Sequence, residues 1–129
     1  MNDGDFIAAF ESATLAEFHH RDHVRAAWCY LGSSTVLGAL ERFTRALKRF
    51  AAAQGKPQLY HETITWAYLF LIHERMHDSE TWDTFAARNP ELLVWRPSIL
   101  DRYYRPETIA SDRARMAFVL PDGTMPSRA

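Results

Sequence analysis

The sequence contains almost no cysteine and carries almost no net charge. Cys29 is the only cysteine in 129 residues, which excludes an intrachain disulfide and a thiolate zinc cluster. The net charge of −1 provides neither a basic arm for nucleic acid nor a polybasic patch for a membrane. The longest apolar run, Trp66 to Ile72, is too short to span a bilayer. We therefore expect a soluble, cytoplasmic protein with no nucleic-acid or membrane partner.

Several common catalytic signatures are also missing. The chain has no Gly-x-Ser-x-Gly elbow, no phosphate-binding loop and no dinucleotide-binding fingerprint. Serine hydrolase, kinase and dehydrogenase functions therefore have no support. Strand signals are poor as well, because no two-residue hairpin turn separates alternating apolar runs.

Helical periodicity is strong. The clearest helix, 35–54, carries an apolar stripe with charged residues on the opposite face, and Gly55 and Pro57 end it. The pattern predicts an all-α fold: a single compact bundle of four main helices over residues 1–120, with short C-terminal helical segments wrapping it and a flexible tail at 121–129. The predicted helices cover residues 3–12, 22–31, 35–54, 60–77 and 80–88, with shorter pieces at 91–94, 98–104 and 106–115.

Two histidine clusters stand out in this otherwise plain sequence. The first is Phe18-His19-His20-Arg21-Asp22-His23 and the second is Tyr60-His61-Glu62-Thr63, each at the predicted start of a helix. Four of the six histidines fall within these ten residues. Imidazoles at i and i+3 point to the same side of a helix, which favours His20 with His23 over His19 with His23.

A third imidazole, from His61 at the start of the central helix, completes a candidate metal site. Three neutral nitrogens with one open position are typical of a catalytic zinc centre, and the same set suits iron or copper. The hypothesis is one divalent transition metal ion held by His20, His23 and His61. Glu62 is a candidate catalytic residue that hydrogen-bonds a ligand imidazole or a first-turn amide, or is a fourth ligand if the first turn is distorted. Tyr103 is a candidate proton donor.

Each of these residues also has a plainer interpretation. Histidines at helix starts are often caps or surface residues, and Tyr103 is more typical of a residue that anchors the C-terminal wrap. Thr65 lies on the same face as His61, yet a mid-helix threonine commonly bonds a preceding carbonyl. Arg25 suits a carboxylate ligand or an exposed ion pair, and Tyr68 suits a pocket wall or the core.

The motifs around these histidines resemble those of an uncharacterised family of small bacterial all-helical proteins. That family carries aromatic-x-His-x-x-His before an Arg-x-Ala-Trp helix, then Tyr-His-x-Thr, then paired tyrosines with Ser-Asp-x-Ala-Arg and Pro-Asp. The resemblance implies that the three histidines belong to one pattern, and it implies no activity. The matching residues are Phe18, His20, His23, Arg25, Ala27, Trp28, Tyr60, His61, Thr63, Tyr103, Tyr104, Ser111, Asp112, Ala114, Arg115, Pro121 and Asp122.

The sequence leaves three functions open. The first is a mononuclear three-histidine metalloenzyme that activates water, dioxygen or a small-molecule substrate. The second is a non-catalytic binding or interaction module whose histidines are structural or sense metal. The third is a metal-free enzyme with His61 or His23 as general base. The sequence assigns neither the metal, the substrate nor the oligomeric state.

Overall fold

The computed structural model describes residues 1–123, and every regular element within that range is helical. Four helices form the body of the bundle, and shorter helices and two 3₁₀ turns follow them. The all-α bundle predicted from the sequence is confirmed. The helices are α1 (Asp3–Glu11), α2 (His20–Ser33), α3 (Val36–Ala53), α4 (Glu62–Arg75), α5 (Trp82–Arg88), α6 (Pro90–Leu93), α7 (Pro106–Ile109) and α8 (Asp112–Met116), and the 3₁₀ turns are Pro57–Leu59 and Ile99–Arg102.

Polar side chains begin the main helices in the way that their sequences suggest. Asn2 accepts a hydrogen bond from the amide of Asp5 at the start of α1, and Thr35 accepts one from the amide of Gly38 at the start of α3. Gly55, just beyond α3, adopts a φ of 73°, a left-handed conformation that glycine allows. These caps determine where the chain turns between packed helices.

The core lies where α2, α3 and α4 pack together, with α1 closing one side. Aromatic side chains pack α1 against the rest of the core. The Phe10 ring stacks on Phe18 at 4.7 Å and contacts Phe50 at 5.8 Å between ring centroids. Helix α4 is apolar on nearly all sides, and Leu69 and Ile72 are fully buried, as expected for the central helix of a bundle.

The starts of α2 and α4 differ from the predicted boundaries. The difference places His20 inside α2 and His61 just before α4. Helix α2 begins at His20, two residues before the predicted start at 22, because the Asp22 carboxylate accepts a hydrogen bond from the His19 amide and caps the helix there. Helix α4 begins at Glu62, because His61 is its N-cap. The predicted helix 106–115 is divided into α7 and α8, since the Ser111 hydroxyl caps a new helix.

The C-terminal segment wraps the bundle through hydrogen bonds to α4. The buried Thr63 hydroxyl donates to the Ala117 carbonyl at 2.9 Å and accepts from the Val119 amide at 3.1 Å. Asp122 accepts from the Arg105 amide, and the Gly123 amide donates to a backbone carbonyl. Asp122 and Gly123, in the predicted tail, are therefore hydrogen-bonded to the domain; the rest of that tail, 124–129, lies outside the described residues.

None of the helices within residues 1–123 combines the length and apolar character that a membrane span requires.

Candidate functional site

A cavity of about 610 Å³ lies between α2, α3 and α4, and all three histidines of the predicted site line it. Its volume is in the range of small-molecule sites. Buried apolar side chains form much of the wall, and exposed residues mark its entrance. The lining residues are Ala16, Phe18, His20, His23, Val24, Ala27, Phe43, Leu47, Phe50, Ala51, Gln54, Lys56, Leu59, Tyr60, His61, Ile64, Thr65, Tyr68, Trp95 and Arg115.

His20 reaches the cavity from the first turn of α2 and is held on three sides. Its Nε2 donates to the Leu92 carbonyl at 2.8 Å, so the neutral ring carries its proton there, and Nδ1 is an acceptor with no hydrogen-bond partner among residues 1–123. The ring contacts Tyr68 edge-on at 4.9 Å and Trp95 at 5.1 Å between centroids. Burial lowers the pKa of His20, which favours the neutral imidazole.

His23 lines the cavity without a hydrogen-bond partner from the described part of the chain. Within residues 1–123, neither of its ring nitrogens has a hydrogen-bond partner, and the ring packs on Phe18 at 4.4 Å between centroids. Burial, reinforced by the neighbouring His20, lowers the pKa of His23 to about 4. At neutral pH the ring is therefore uncharged, with one donor and one acceptor available to a molecule in the cavity.

His61, by contrast, uses both ring nitrogens in the fold. Nδ1 accepts from the Ile64 amide at 3.1 Å and so caps α4, and Nε2 donates to the Ile109 carbonyl at 2.7 Å. This pattern defines a neutral ring with the proton on Nε2. Burial lowers the pKa of His61, and the positive charge of Arg115 acts in the same direction.

The cavity brings His20, His23 and His61 together, but the arrangement does not fit a three-histidine metal centre. A metal needs a nitrogen lone pair, and the only unprotonated nitrogen of His61 is occupied by the Ile64 amide. Among residues 1–123, no group of three or more histidine, cysteine, aspartate or glutamate side chains is positioned to hold an ion. The metal site stays a prediction, and one that requires Nδ1 of His61 to lose its hydrogen bond from the Ile64 amide.

The two predicted catalytic residues lie elsewhere. Glu62 accepts a hydrogen bond from the Tyr60 hydroxyl and does not line the cavity. Tyr103 is also absent from the lining, and its backbone carbonyl bonds the Gly123 amide at 2.7 Å. For the neighbouring Tyr104, the anchoring interpretation fits the geometry, since its hydroxyl donates to the Val119 carbonyl.

Contacts in the structure also distinguish the alternative roles of Thr65, Arg25 and Tyr68. The Thr65 hydroxyl bonds the His61 carbonyl at 2.7 Å, as a mid-helix threonine commonly does, although Thr65 also lines the cavity. Arg25 forms an ion pair with Asp3 at 2.8 Å, outside the cavity. Tyr68 does form part of the wall.

Sequence reasoning missed the residues at the entrance. Trp95 and Leu59 are 43% and 65% exposed, and both line the cavity. Lys56 lies in the loop after α3, and Arg115 lies on α8. Exposed apolar side chains in loops were a weak signal for a binding site, and nothing in the linear spacing connects these four residues.

No protein-family model, curated protein or solved structure matches the chain.

Proposed function

We propose that the protein binds a small, largely apolar organic molecule in this cavity, and that the neutral His23 imidazole hydrogen-bonds its polar group. The observation that carries the proposal is the His23 ring, which has no hydrogen-bond partner within residues 1–123 although it lines an otherwise largely apolar cavity. An unpaired imidazole in such a lining is available to hydrogen-bond the polar group of a bound molecule.

The protonation state of His23 favours binding over base catalysis. A general base works best when its pKa is near the working pH, and a pKa of about 4 makes His23 a weak proton acceptor at neutral pH. A neutral ring remains an effective hydrogen-bond partner for a hydroxyl or carbonyl group. The free Nδ1 of His20, in the same cavity, provides a second acceptor.

The proposal is tested by titrating the ¹⁵N-labelled protein with 4-phenylbutanol, an apolar probe with one hydroxyl group. We expect saturable chemical-shift changes that Ala27→Leu abolishes, because the larger side chain fills the cavity. The matched Ala52→Leu variant changes an exposed residue of α3 outside the cavity and should bind normally. Failure to saturate, or equal binding by Ala27→Leu, would refute the proposal.

Replacement of His23 separates a binding role from a structural role. In His23→Leu, we expect the affinity for 4-phenylbutanol to fall by about fivefold, the value of one neutral hydrogen bond. The variant should be at least as stable as the wild type to urea, because leucine replaces a partly buried polar ring that has no hydrogen-bond partner within residues 1–123. A clear loss of stability with unchanged affinity would assign His23 to the fold instead.

A metalloenzyme is the second candidate, favoured by the presence of three neutral histidines in one cavity. The occupied nitrogens of His61 argue against it. Elemental analysis of protein purified without a histidine tag tests it. Near-stoichiometric zinc, iron or copper that is lost in the alanine variants of His20, His23 and His61 would support this candidate, and metal-free protein would exclude it.

A further inference from the structure

The charged side chains that line the cavity are both cationic. Of the residues that line it, Lys56 and Arg115 are the only two with permanently charged side chains, and both are cationic. No aspartate or glutamate from residues 1–123 lines the cavity; the nearby Glu62 is held by the Tyr60 hydroxyl. Since the histidines are neutral, the charge of the lining at neutral pH is positive.

Both cations are exposed and retain free hydrogen-bond donors. Arg115 donates one bond, from Nη1 to the Gln58 carbonyl at 2.9 Å, which holds the guanidinium near the entrance and leaves its other donors free. Within residues 1–123, neither Arg115 nor Lys56 forms an ion pair. The other exposed arginines that do form close pairs, such as Arg45 with Glu41, lie outside the cavity.

The α3 side chains that line the cavity are apolar, and the cationic lining side chains are at exposed positions. Phe43, Leu47 and Phe50 on α3 are buried, whereas Lys56 and Leu59 in the following loop are exposed. A molecule that fills this cavity therefore meets aromatic and aliphatic side chains inside and cationic groups at the entrance. This is the complement of an amphiphile with an anionic head.

We infer that the ligand of this cavity is an apolar monocarboxylic acid, bound with its hydrocarbon body against Phe43, Leu47 and Phe50. Its carboxylate is the polar group that His23 hydrogen-bonds, and Arg115 and Lys56 pair with its charge. The inference rests on the proposed function and specifies its ligand class. Arg115 is the main specificity residue, because a guanidinium matches a carboxylate with two parallel hydrogen bonds. Lys56 contributes a point charge at an exposed position.

The test compares three ligands that share one hydrocarbon body: 4-phenylbutyrate, 4-phenylbutanol and 4-phenylbutylamine. By calorimetry at low salt, we expect the carboxylate to bind about tenfold tighter than the alcohol, and the amine to bind weakest. Raising the salt from about 20 mM to about 500 mM should reduce the preference for the carboxylate, because the entrance is exposed.

Variants assign the preference to particular cations. Arg115→Gln should lower the carboxylate affinity by about tenfold and the alcohol affinity by much less, because a neutral hydroxyl has no charge to pair with the guanidinium. Lys56→Gln should lower the carboxylate affinity by about twofold. Arg113→Gln is the matched control, since Arg113 is an exposed arginine of the same helix that does not line the cavity. The control should behave as the wild type.

The outcomes distinguish this inference from the proposed function. If the alcohol binds in the cavity as tightly as the carboxylate, or the amine binds best, the cavity is a ligand site and the inference about its ligand class is wrong. If none of the three ligands binds, the proposed function fails with it. A carboxylate preference that survives Arg115→Gln and Lys56→Gln together would also overturn the assignment.

Discussion

The imidazole of His61 connects two segments that are 48 residues apart by donating from Nε2 to the carbonyl of Ile109 at 2.7 Å. Its other nitrogen, Nδ1, accepts from the Ile64 amide and caps helix α4. One buried ring therefore begins the central helix and also attaches the C-terminal wrap to it. This double role explains why a histidine in the second cluster has no free lone pair for a metal.

Replacing His61 should destabilise the fold in two separable steps. His61→Ala removes the cap and the bond to Ile109, and we expect it to lower the free energy of unfolding by about 2–4 kcal/mol. His61→Asn keeps a good capping side chain but loses the bond to Ile109, so its effect should be about half as large. Urea denaturation measures both. The control His73→Ala, at an exposed position of α4, should stay within about 0.5 kcal/mol of the wild type; equal losses in the two His61 variants would contradict the division of roles.

The Thr63 hydroxyl should be necessary for the C-terminal wrap. Thr63→Val preserves shape in a fully buried position but leaves the Ala117 carbonyl and the Val119 amide without their partner. We expect a loss of about 1–3 kcal/mol in thermal or urea unfolding, together with faster amide hydrogen exchange at Val119. Thr44→Val, which removes a hydroxyl bonded only within α3, is the control. A variant with wild-type exchange at Val119 would show that this bond does not hold the segment.

Acid should destabilise the protein through His23. Because its pKa is about 4 when folded and near 6.5 when unfolded, the unfolded chain binds more protons between these values. The contribution of a neutral His23 is complete above pH 6.5 and is lost as the pH falls towards 4, by an amount on the order of 3 kcal/mol. His20 and His61, whose pKa values are also lowered by burial, add losses of the same sign.

Urea unfolding at a series of pH values measures this effect. The stability of His23→Gln should decline less steeply than that of the wild type between pH 6.5 and 4, because glutamine does not titrate. His77→Gln, which removes an exposed histidine, serves as the control and should follow the wild-type curve. Parallel curves for wild type and His23→Gln would show that His23 is not held neutral by the fold.

Two glycine-to-alanine changes should have opposite signs. A Cβ added at Gly123 would lie 2.7 Å from the backbone oxygen of Tyr103, so Gly123→Ala must displace the segment and should cost about 1–2 kcal/mol. At Gly32, within α2, the added Cβ meets nothing within 4 Å, and Gly32→Ala should stabilise by about 0.5–1 kcal/mol. Thermal unfolding of the pair tests both values, and a neutral Gly123→Ala would show that the segment yields easily.

The helices were predictable because their signals are local. The apolar stripe of α3, its Thr35 cap and its Gly55 terminator are all within one continuous stretch, and the observed helix differs from the predicted 35–54 by one residue at each end. The predicted start of α2 was wrong by two residues. There, the deciding contact is between the Asp22 carboxylate and the His19 amide. The predicted helix begins at Asp22, and nothing in the sequence pattern showed which amide this carboxylate would bind.

The candidate site was only partly predictable, for a reason of distance along the chain. The sequence alone identified His20, His23 and His61 as a group, and the three do line one cavity. It did not reveal that Nε2 of His20 would donate to the Leu92 carbonyl and Nε2 of His61 to the Ile109 carbonyl. These carbonyls belong to residues 72 and 48 positions away in the sequence. Whether an imidazole has a lone pair available for a metal depends on such hydrogen-bond partners.

Local periodicity and capping thus determined that this chain is helical and where its main helices lie, since each helix is stabilised by residues within a few turns of one another. Tertiary structure alone decided which histidine remains available, through packing and long-range hydrogen bonds that satisfy His61 and leave His23 without a partner within residues 1–123. It also decided that Lys56 and Arg115 line the same cavity. Two residues so far apart in sequence reach one cavity only because the C-terminal wrap folds over α4.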